Sequence, residues 1–395
     1  MLGRDGRRVV VTGFGVAAPP GIGKEAFWAG LHRRAPTGRI LTVPDFDPNP
    51  YFDGPKEVRR ADIYLQLGMA AATETVQHAG ELSADPARIG VIMSTGVGGL
   101  RSVEDQVEVR LAKGENRVSP FLVPMMMANA AAASISMRWG WQGPCEEIST
   151  ACAASTHGIA YAARLIAWGR CDAMLAGGTE STLTPTAISA FANMTALTSS
   201  GISRPFDTKR DGFVLAQGAA AVMLEELETA RARGATIYGE VLGAGSNADA
   251  YHITAPAPGG TGAIRCMELA LEEAGLRPSD IKHINAHGTS TPLNDRAEAD
   301  AITKVFGTPS PPVTSTKSTT GHALGAAGAI EAVAILLAMQ HREIPPTMHT
   351  DEIDPEIEID VVLGEGRAWE PGPSLSNSFG FGGHNGSLIL GPPLT

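Results

Sequence analysis

The chain is short of aromatic residues, of cysteine, of positive charge and of uninterrupted apolar runs, and each shortage narrows what it can be. Only 5% of its residues are aromatic, while 46 are glycine. Elements built from such small residues can approach one another closely, as in a tightly packed, turn-rich α/β protein. The four cysteines, Cys145, Cys152, Cys171 and Cys266, form no C-x-x-C pair and no metal-ligand spacing, so neither a disulfide framework nor a metal site is expected. A formal net charge of −11 argues against nucleic-acid binding, which takes a basic excess, although a local basic patch for an acidic partner stays open. The most apolar stretch, Leu122 to Met137, is interrupted by Pro124, Asn129 and Ser134 and is too short to span a bilayer. The N-terminus, Met1 to Arg8, is charged and runs straight into a strand, which reads as no signal peptide. These features predict a soluble, cytoplasmic protein with no membrane and no nucleic-acid partner.

What is present is an alternation of strands and helices, long enough for a large core in two halves, 1–234 and 235–395. In the first half the pattern predicts strands at 8–15, 88–94, 172–178 and 219–225, with helices at 24–34 and 62–80. Gly13-x-Gly15 lacks the third glycine and the helix context of a nucleotide site and reads as a packing turn. In the second half, strands are expected at 237–244, 281–286, 313–316, 357–362, 374–378 and 387–390. Helices are expected there at 262–274, 295–306 and 317–340.

The stretch Glu147 to Gly169 organises the chain. A short extended run ends at Thr150, and Cys152 sits among small residues where an Ala-rich helical segment begins. Unpaired N–H groups and the positive end of the macrodipole at a helix start favour a thiolate, the nucleophilic form. A buried, inert cysteine is the equally open alternative. A strand, a Thr-x-x turn and an Ala-rich helix recur about 170 residues later around His322, so an internal duplication is expected to bring Cys152 and His322 face to face.

Four motifs carry a resemblance: Thr150-Ala-Cys-Ala-Ala-Ser155, Asn285-Ala-His-Gly-Thr-Ser-Thr-Pro292, Lys317-Ser-Thr-Thr-Gly-His322 and Asn377-Ser-Phe-Gly-Phe-Gly-Gly-His-Asn385. In this order and spread nearly end to end, they resemble the β-ketoacyl-acyl carrier protein synthases (type I/II condensing enzymes) of the thiolase superfamily. The resemblance implies an α/β, thiolase-like, five-layered αβαβα fold of two pseudo-symmetric halves. It also implies a dimer and a decarboxylative Claisen condensation of an acyl thioester with malonyl-acyl carrier protein. The implied catalytic set is Cys152, His287, His322, Lys317 and Glu331. The backbone N–H groups of Cys152 and Phe381 form the implied oxyanion hole, and Phe379 and Phe381 the gate. Thr289, Thr291 and Thr254 match substrate-binding positions, and Val97 and Leu122 match positions that help bound the acyl pocket at the dimer interface. Lys56, Arg59, Arg60 and Arg117 match basic positions that meet the acidic carrier protein. No cofactor or metal is implied beyond the phosphopantetheine on which the carrier holds its substrates.

Departures from the family pattern bear on partner and product. Thr195 stands where arginine is common in the docking region, and Gln217 where Glu or Asp is usual. His384 stands where many relatives have threonine, and no role is assigned to it or to Gln217. Val97 and Leu122 are smaller than the usual isoleucine and phenylalanine, and Met125, Met126 and Met127 are adaptable neighbours, so a pocket for medium or long chains is expected. The rival reading is the catalytic chain of a type II polyketide synthase, working as a heterodimer with a chain-length-factor-like subunit rather than as a homodimer. A catalytically dead partner subunit would have lost the nucleophile, and a Cys/His hydrolase would not need Lys317 or two histidines.

Overall fold

The computed structural model describes residues 6–393, so Met1–Asp5, part of the charged start read above, lie outside the described residues. The first half runs β1 (Val9–Ala18), α1 (Ile63–Ala79), β2 (Ile89–Ser94), α2 (Ala130–Trp139), β3 (Cys145–Glu146), α3 (Ala154–Ala167), β4 (Ala173–Glu180) and β5 (Gly218–Glu226). The second half repeats that order as β6 (Gly239–Ala248), α4 (Thr261–Ala274), β7 (His283–Asn285), α5 (Pro292–Phe306), β8 (Val313–Thr314), α6 (Ala327–His341), β9 (Ser374–Gly380) and β10 (His384–Gly391).

Strand order repeats as well. The first half pairs β3-β2-β4-β5-β1 and the second β8-β7-β9-β10-β6. In each, the first two pairings are parallel and the last two antiparallel. The halves join where β1 and β6 run antiparallel, Val10 opposite Glu240 and Val11 opposite Gly239. Helices α3 and α6 fill the space between the sheets: α3 packs on β2 and β4 on one side and on β6 and β10 on the other. Helices α1 and α2 cover the outer face of the first sheet, and α4 and α5 that of the second. This is the five-layered αβαβα arrangement.

Sequence explains the layering. Among the described residues one helical stretch, Leu324–His341, is long and apolar enough to cross a membrane, and 89% of it is buried inside the protein. It contains α6, which is apolar on all sides because sheets or helices cover every face. The most apolar stretch expected from sequence, Leu122–Met137, is broken as its Pro124 and Asn129 imply, into the short helix Leu122–Met126 and the start of α2. Gly13 and Gly15 lie within β1, where an added Cβ would come 2.7 Å from the Thr75 carbonyl and 2.4 Å from that of Ala71, so they let α1 settle onto the strand. Gly243 and Gly245 do the same for α4 on β6, facing the carbonyls of Ala270 and Cys266.

Two expected elements differ. The helix predicted over 317–340 is broken: Lys317–Thr320 forms one turn, Gly321 has φ 64°, and α6 starts at Ala327. A left-handed glycine stops the first turn so that His322 can run as a strand-like segment beside Leu215. The strand predicted over 357–362 is absent; Val361 makes an isolated bridge to Val313, leaving its apolar residues to cover the β8 edge.

Candidate active site

Cys152 sits on a sharp elbow. Ala151 before it has φ 50°, a left-handed conformation that costs a residue with a Cβ about 1–2 kcal/mol. A single 3-10 turn, Ala151–Ala153, then feeds α3. His157, one turn into α3, braces the elbow: its Nε2 lies 3.0 Å from the Asn385 carbonyl, and its Nδ1 lies 2.8 Å from the Thr150 hydroxyl. Donation to a carbonyl fixes the proton on Nε2, so Nδ1 accepts from Thr150. On the other side Gly380 closes in; a Cβ there would stand 3.0 Å from the Thr150 carbonyl and 3.1 Å from the Cys152 nitrogen.

The second half supplies the rest. The backbone of His322 is pinned at both ends, donating to Val214 and accepting from Ala216. Its Nε2 thereby comes 3.0 Å from the Cys152 sulfur. His287 follows β7, and its ring meets that of His322 nearly at right angles, centroids 5.4 Å apart, and that of Phe379 at 5.9 Å. Glu298 of α5 holds this loop by accepting from the His287 and Gly288 N–H groups, both at 2.7 Å. Lys317 and Glu331 form a fully buried ion pair behind the histidines.

Burial sets the protonation states. Desolvation pushes the Cys152 thiol up to about 11, against the pull of the Lys317 charge and of the N–H groups of Phe381 and Cys152 that face the sulfur. The thiolate expected from the helix start is therefore not the resting form, because the elbow buries the sulfur more than the N–H groups stabilise it. Desolvation, with the charge of Lys317 added, also holds both His287 and His322 well below the ordinary imidazole value. Burial raises Glu331 to about 7 against the attraction of Lys317. The resting site is thus a neutral thiol against two neutral imidazoles. Donor atoms of Cys152, His287 and His322 lie within 4.8 Å of one another, close enough for a metal ion, but the Lys317 charge that disfavours imidazolium disfavours a cation there too.

A cavity of ≈ 500 Å³ leads to this cluster. Val97, Thr254, Thr289, Thr291, Phe379 and Phe381 all line it, together with Cys152, His287 and His322. The Thr289 and Thr291 hydroxyls are 2.9 Å apart. Leu122 is half-buried on the short helix Leu122–Met126 and is not part of this wall. Lys56, Arg59, Arg60 and Arg117 are all exposed and away from the wall, and Arg60 lies over the Phe121 ring at 3.8 Å. Thr195 is exposed at the cavity mouth, and Gln217 is buried, accepting from the Ser181 hydroxyl. Sequence reading missed Glu298 and its neighbour Asp295, which accepts from the N–H groups of Phe206 and Ser290. Two acidic residues three apart on one helix face, just after the His287 motif, were the available signal.

Residues 32–230 match the family model described as "Beta-ketoacyl synthase, N-terminal domain", and residues 238–351 the corresponding C-terminal domain. The chain is 43% identical to 3-oxoacyl-[acyl-carrier-protein] synthase 2 of Synechocystis sp., covering 99% of both chains. It is 42% identical to the protein of the same name from Coxiella burnetii, covering 97% of this chain and 98% of that one. Among solved structures, the ishigamide ketosynthase/chain length factor superposes with TM-score 0.93 at 35% identity, covering 98% of this chain and 100% of that one. A type II polyketide ketosynthase, solved with its acyl-carrier protein and bound to the hexaketide, superposes with TM-score 0.89 at 32% identity, with the same coverage.

Proposed function

Because the chain belongs to the β-ketoacyl synthase family, we propose that it extends an acyl chain by two carbons through decarboxylative condensation with a malonyl-acyl carrier protein. The observation that carries this reading is the pairing of Cys152 with His322 at 3.0 Å, with His287 beside them and the Phe381 N–H facing the sulfur. Cys152 attacks the carbonyl of the incoming acyl thioester, its proton passing to the departing carrier thiol by way of His322. The tetrahedral oxyanion takes the N–H groups of Cys152 and Phe381, each such donor typically contributing ~2.7–4 kcal/mol. Malonyl thioester then enters and loses CO2. Neutral His287 donates an N–H bond to the enolate oxygen without bringing a full charge, and His322 joins it in the tautomer that carries its proton on Nε2, since an acylated Cys152 has no thiol proton for that nitrogen to accept. The enolate carbon attacks the acyl carbonyl on Cys152, the C–S bond breaks to release the Cys152 thiolate, which takes up one proton from water to restore the thiol, and the β-ketoacyl product leaves on the carrier.

Thr289 and Thr291 would steady the phosphopantetheine arm, with Thr254 at the entrance. Lys56, Arg59, Arg60 and Arg117 would meet the acidic carrier, affecting encounter more than final affinity. Free cysteines and this reaction fit a reducing cytoplasm. The polyketide reading, with a chain-length-factor-like partner, is supported by the likeness to the ishigamide ketosynthase/chain length factor; Val97 lines the cavity yet is 45% exposed, so a second chain, identical or not, would close that end.

Intact-mass spectrometry with carrier protein, malonyl-carrier and a ladder of acyl thioesters tests both. Acyl adducts that disappear in Cys152→Ala, followed by a β-ketoacyl-carrier product, are expected. Malonyl decarboxylation without acyl uptake until a second subunit is added would move the assignment to the heterodimeric enzyme.

A further inference from the structure

The duplication leaves the second half with an elbow of its own. Helix α6 starts at Ala327 as α3 starts at Ala154, so the counterpart of Cys152 is Gly325 and not His322 as the sequence repeat suggested. Both elbows open on a left-handed residue, Ala151 at φ 50° and Leu324 at φ 41°. No side chain fits at Gly325: a Cβ would stand 2.2 Å from the Gly96 nitrogen. The N–H of Gly325, like that of Cys152, is aimed at an acceptor position, but here the acceptor belongs to the chain. Glu180, at the end of β4 and 0% exposed, places Oε2 at 3.2 Å from the Gly325 nitrogen and 2.7 Å from the Gly96 nitrogen. Its Oε1 accepts from the hydroxyls of Thr182 at 2.8 Å and Thr95 at 3.2 Å.

We propose that Glu180 is a positioning residue: its carboxylate fills this second anion hole and so fixes the Thr95–Gly98 loop as a wall of the acyl pocket. Gly96 and Val97 of that loop line the cavity beside Cys152. Two of the four groups that Glu180 engages, the Thr95 hydroxyl and the Gly96 N–H, belong to the loop itself, and the Thr95 oxygen in turn accepts from Gly98 at 3.1 Å. The clasp thus ties the loop to the start of α6, the helix that carries Glu331. A loop built on Gly96, Gly98 and Gly99 has little stiffness of its own, so the wall's position depends on what grips it. Burial raises the Glu180 carboxyl to about 7 while its four hydrogen bonds pull the other way, as for an anion held by donors rather than by a cation. The inference rests on the condensing-enzyme reading, since it concerns which acyl chains that site accepts.

Glu180→Ala, Glu180→Asp and Glu180→Gln are compared with the wild type, reading kcat and KM of Cys152 acylation along the thioester ladder. Gln can keep the clasp, its amide oxygen accepting from both N–H groups and its NH2 donating to the two hydroxyls turned round. Expected is a shift of about tenfold in the ratio of long-chain to short-chain efficiency for Glu180→Ala, carried by KM, with Glu180→Gln near the wild-type profile. Asp, one methylene shorter, cannot reach both the Gly96 loop and the Gly325 elbow and is expected to follow Ala; it gives the reading if Ala fails to fold. An unchanged ladder in a folded Ala or Asp variant overturns the proposal, as does a Gln variant shifted as far as Ala. Wild-type protein that takes up no acyl group at any length, with or without a second subunit, would instead overturn the condensing-enzyme reading itself.

Discussion

At the scale of single residues, the site shows two physical terms in competition at Cys152. Desolvation, joined by the charge of Glu180, favours the thiol and prevails over the Lys317 charge and the N–H groups of Phe381 and of Cys152 itself, which favour the thiolate. The thiol therefore ionises only as pH climbs toward about 11. Iodoacetamide alkylation of Cys152, followed by peptide mass spectrometry in a Cys145→Ser background that removes the exposed thiol, is expected to accelerate steadily from neutral pH to at least pH ~10. A plateau already reached below pH ~8 would mean a preformed thiolate pair with His322. The Lys317–Glu331 pair obeys the same rule in reverse. Each charge is tolerated in the core because the other is there, so Glu331→Ala strands a buried ammonium and should cost about 3–5 kcal/mol in denaturant unfolding. Replacing both by apolar residues of similar volume should recover much of that stability without recovering acylation.

At the scale of elements, function depends on how closely backbones meet. Gly380 lets the end of β9 lie against the elbow, and its substitution by alanine puts a Cβ 3.0–3.1 Å from Thr150 O and Cys152 N. The shift needed displaces the Phe381 N–H from the sulfur, so acylation should slow by about 10²-fold, the effect of losing one oxyanion donor. A Gly380→Ala protein acylated at the wild-type rate would remove Phe381 from that role. The four motifs were legible because chemistry dictates their residues, and the alternation of strands and helices was legible from periodicity. Less legible was anything resting on a neighbour distant in sequence. Gly13-x-Gly15 looked like a turn because the sequence does not show α1 lying on β1, and its twin Gly243-x-Gly245 went unremarked. Segment 357–362 has strand composition but meets only the short β8 and the single residue Thr347. The repeat was seen three residues out of register because His322 resembles a catalytic counterpart of Cys152, whereas the true counterpart is a glycine. His157 lies outside the four motifs, and its ring has a structural part, bracing the elbow from α3 to β10.

At the scale of the molecule, the described chain leaves one side unfinished. Strand β3 is two exposed residues long and pairs with β2 alone, so its outer edge carries unpaired backbone groups. Helix α2 packs beside it and leaves Met137 75% exposed, and the helices Leu122–Met126 and Leu100–Lys113, which pack in turn from α2, leave Val123 and Leu111 exposed, Leu111 at 73%. An apolar face beside a free strand edge calls for a partner, and a stable one buries about 1,200–2,000 Å² in total. The Thr95–Gly99 loop leans on the same helices, Gly99 donating to Met126 at 3.2 Å, so a partner seated here would press on the acyl pocket as well as on the edge. Sedimentation velocity should show a dimer, and Leu111→Glu with Met137→Glu should release monomers that no longer load Cys152. Monomers that load at the wild-type rate would separate assembly from pocket closure. A chain that sediments as a monomer by itself and pairs only with a non-identical subunit would identify that subunit as the one closing the cavity beyond Val97.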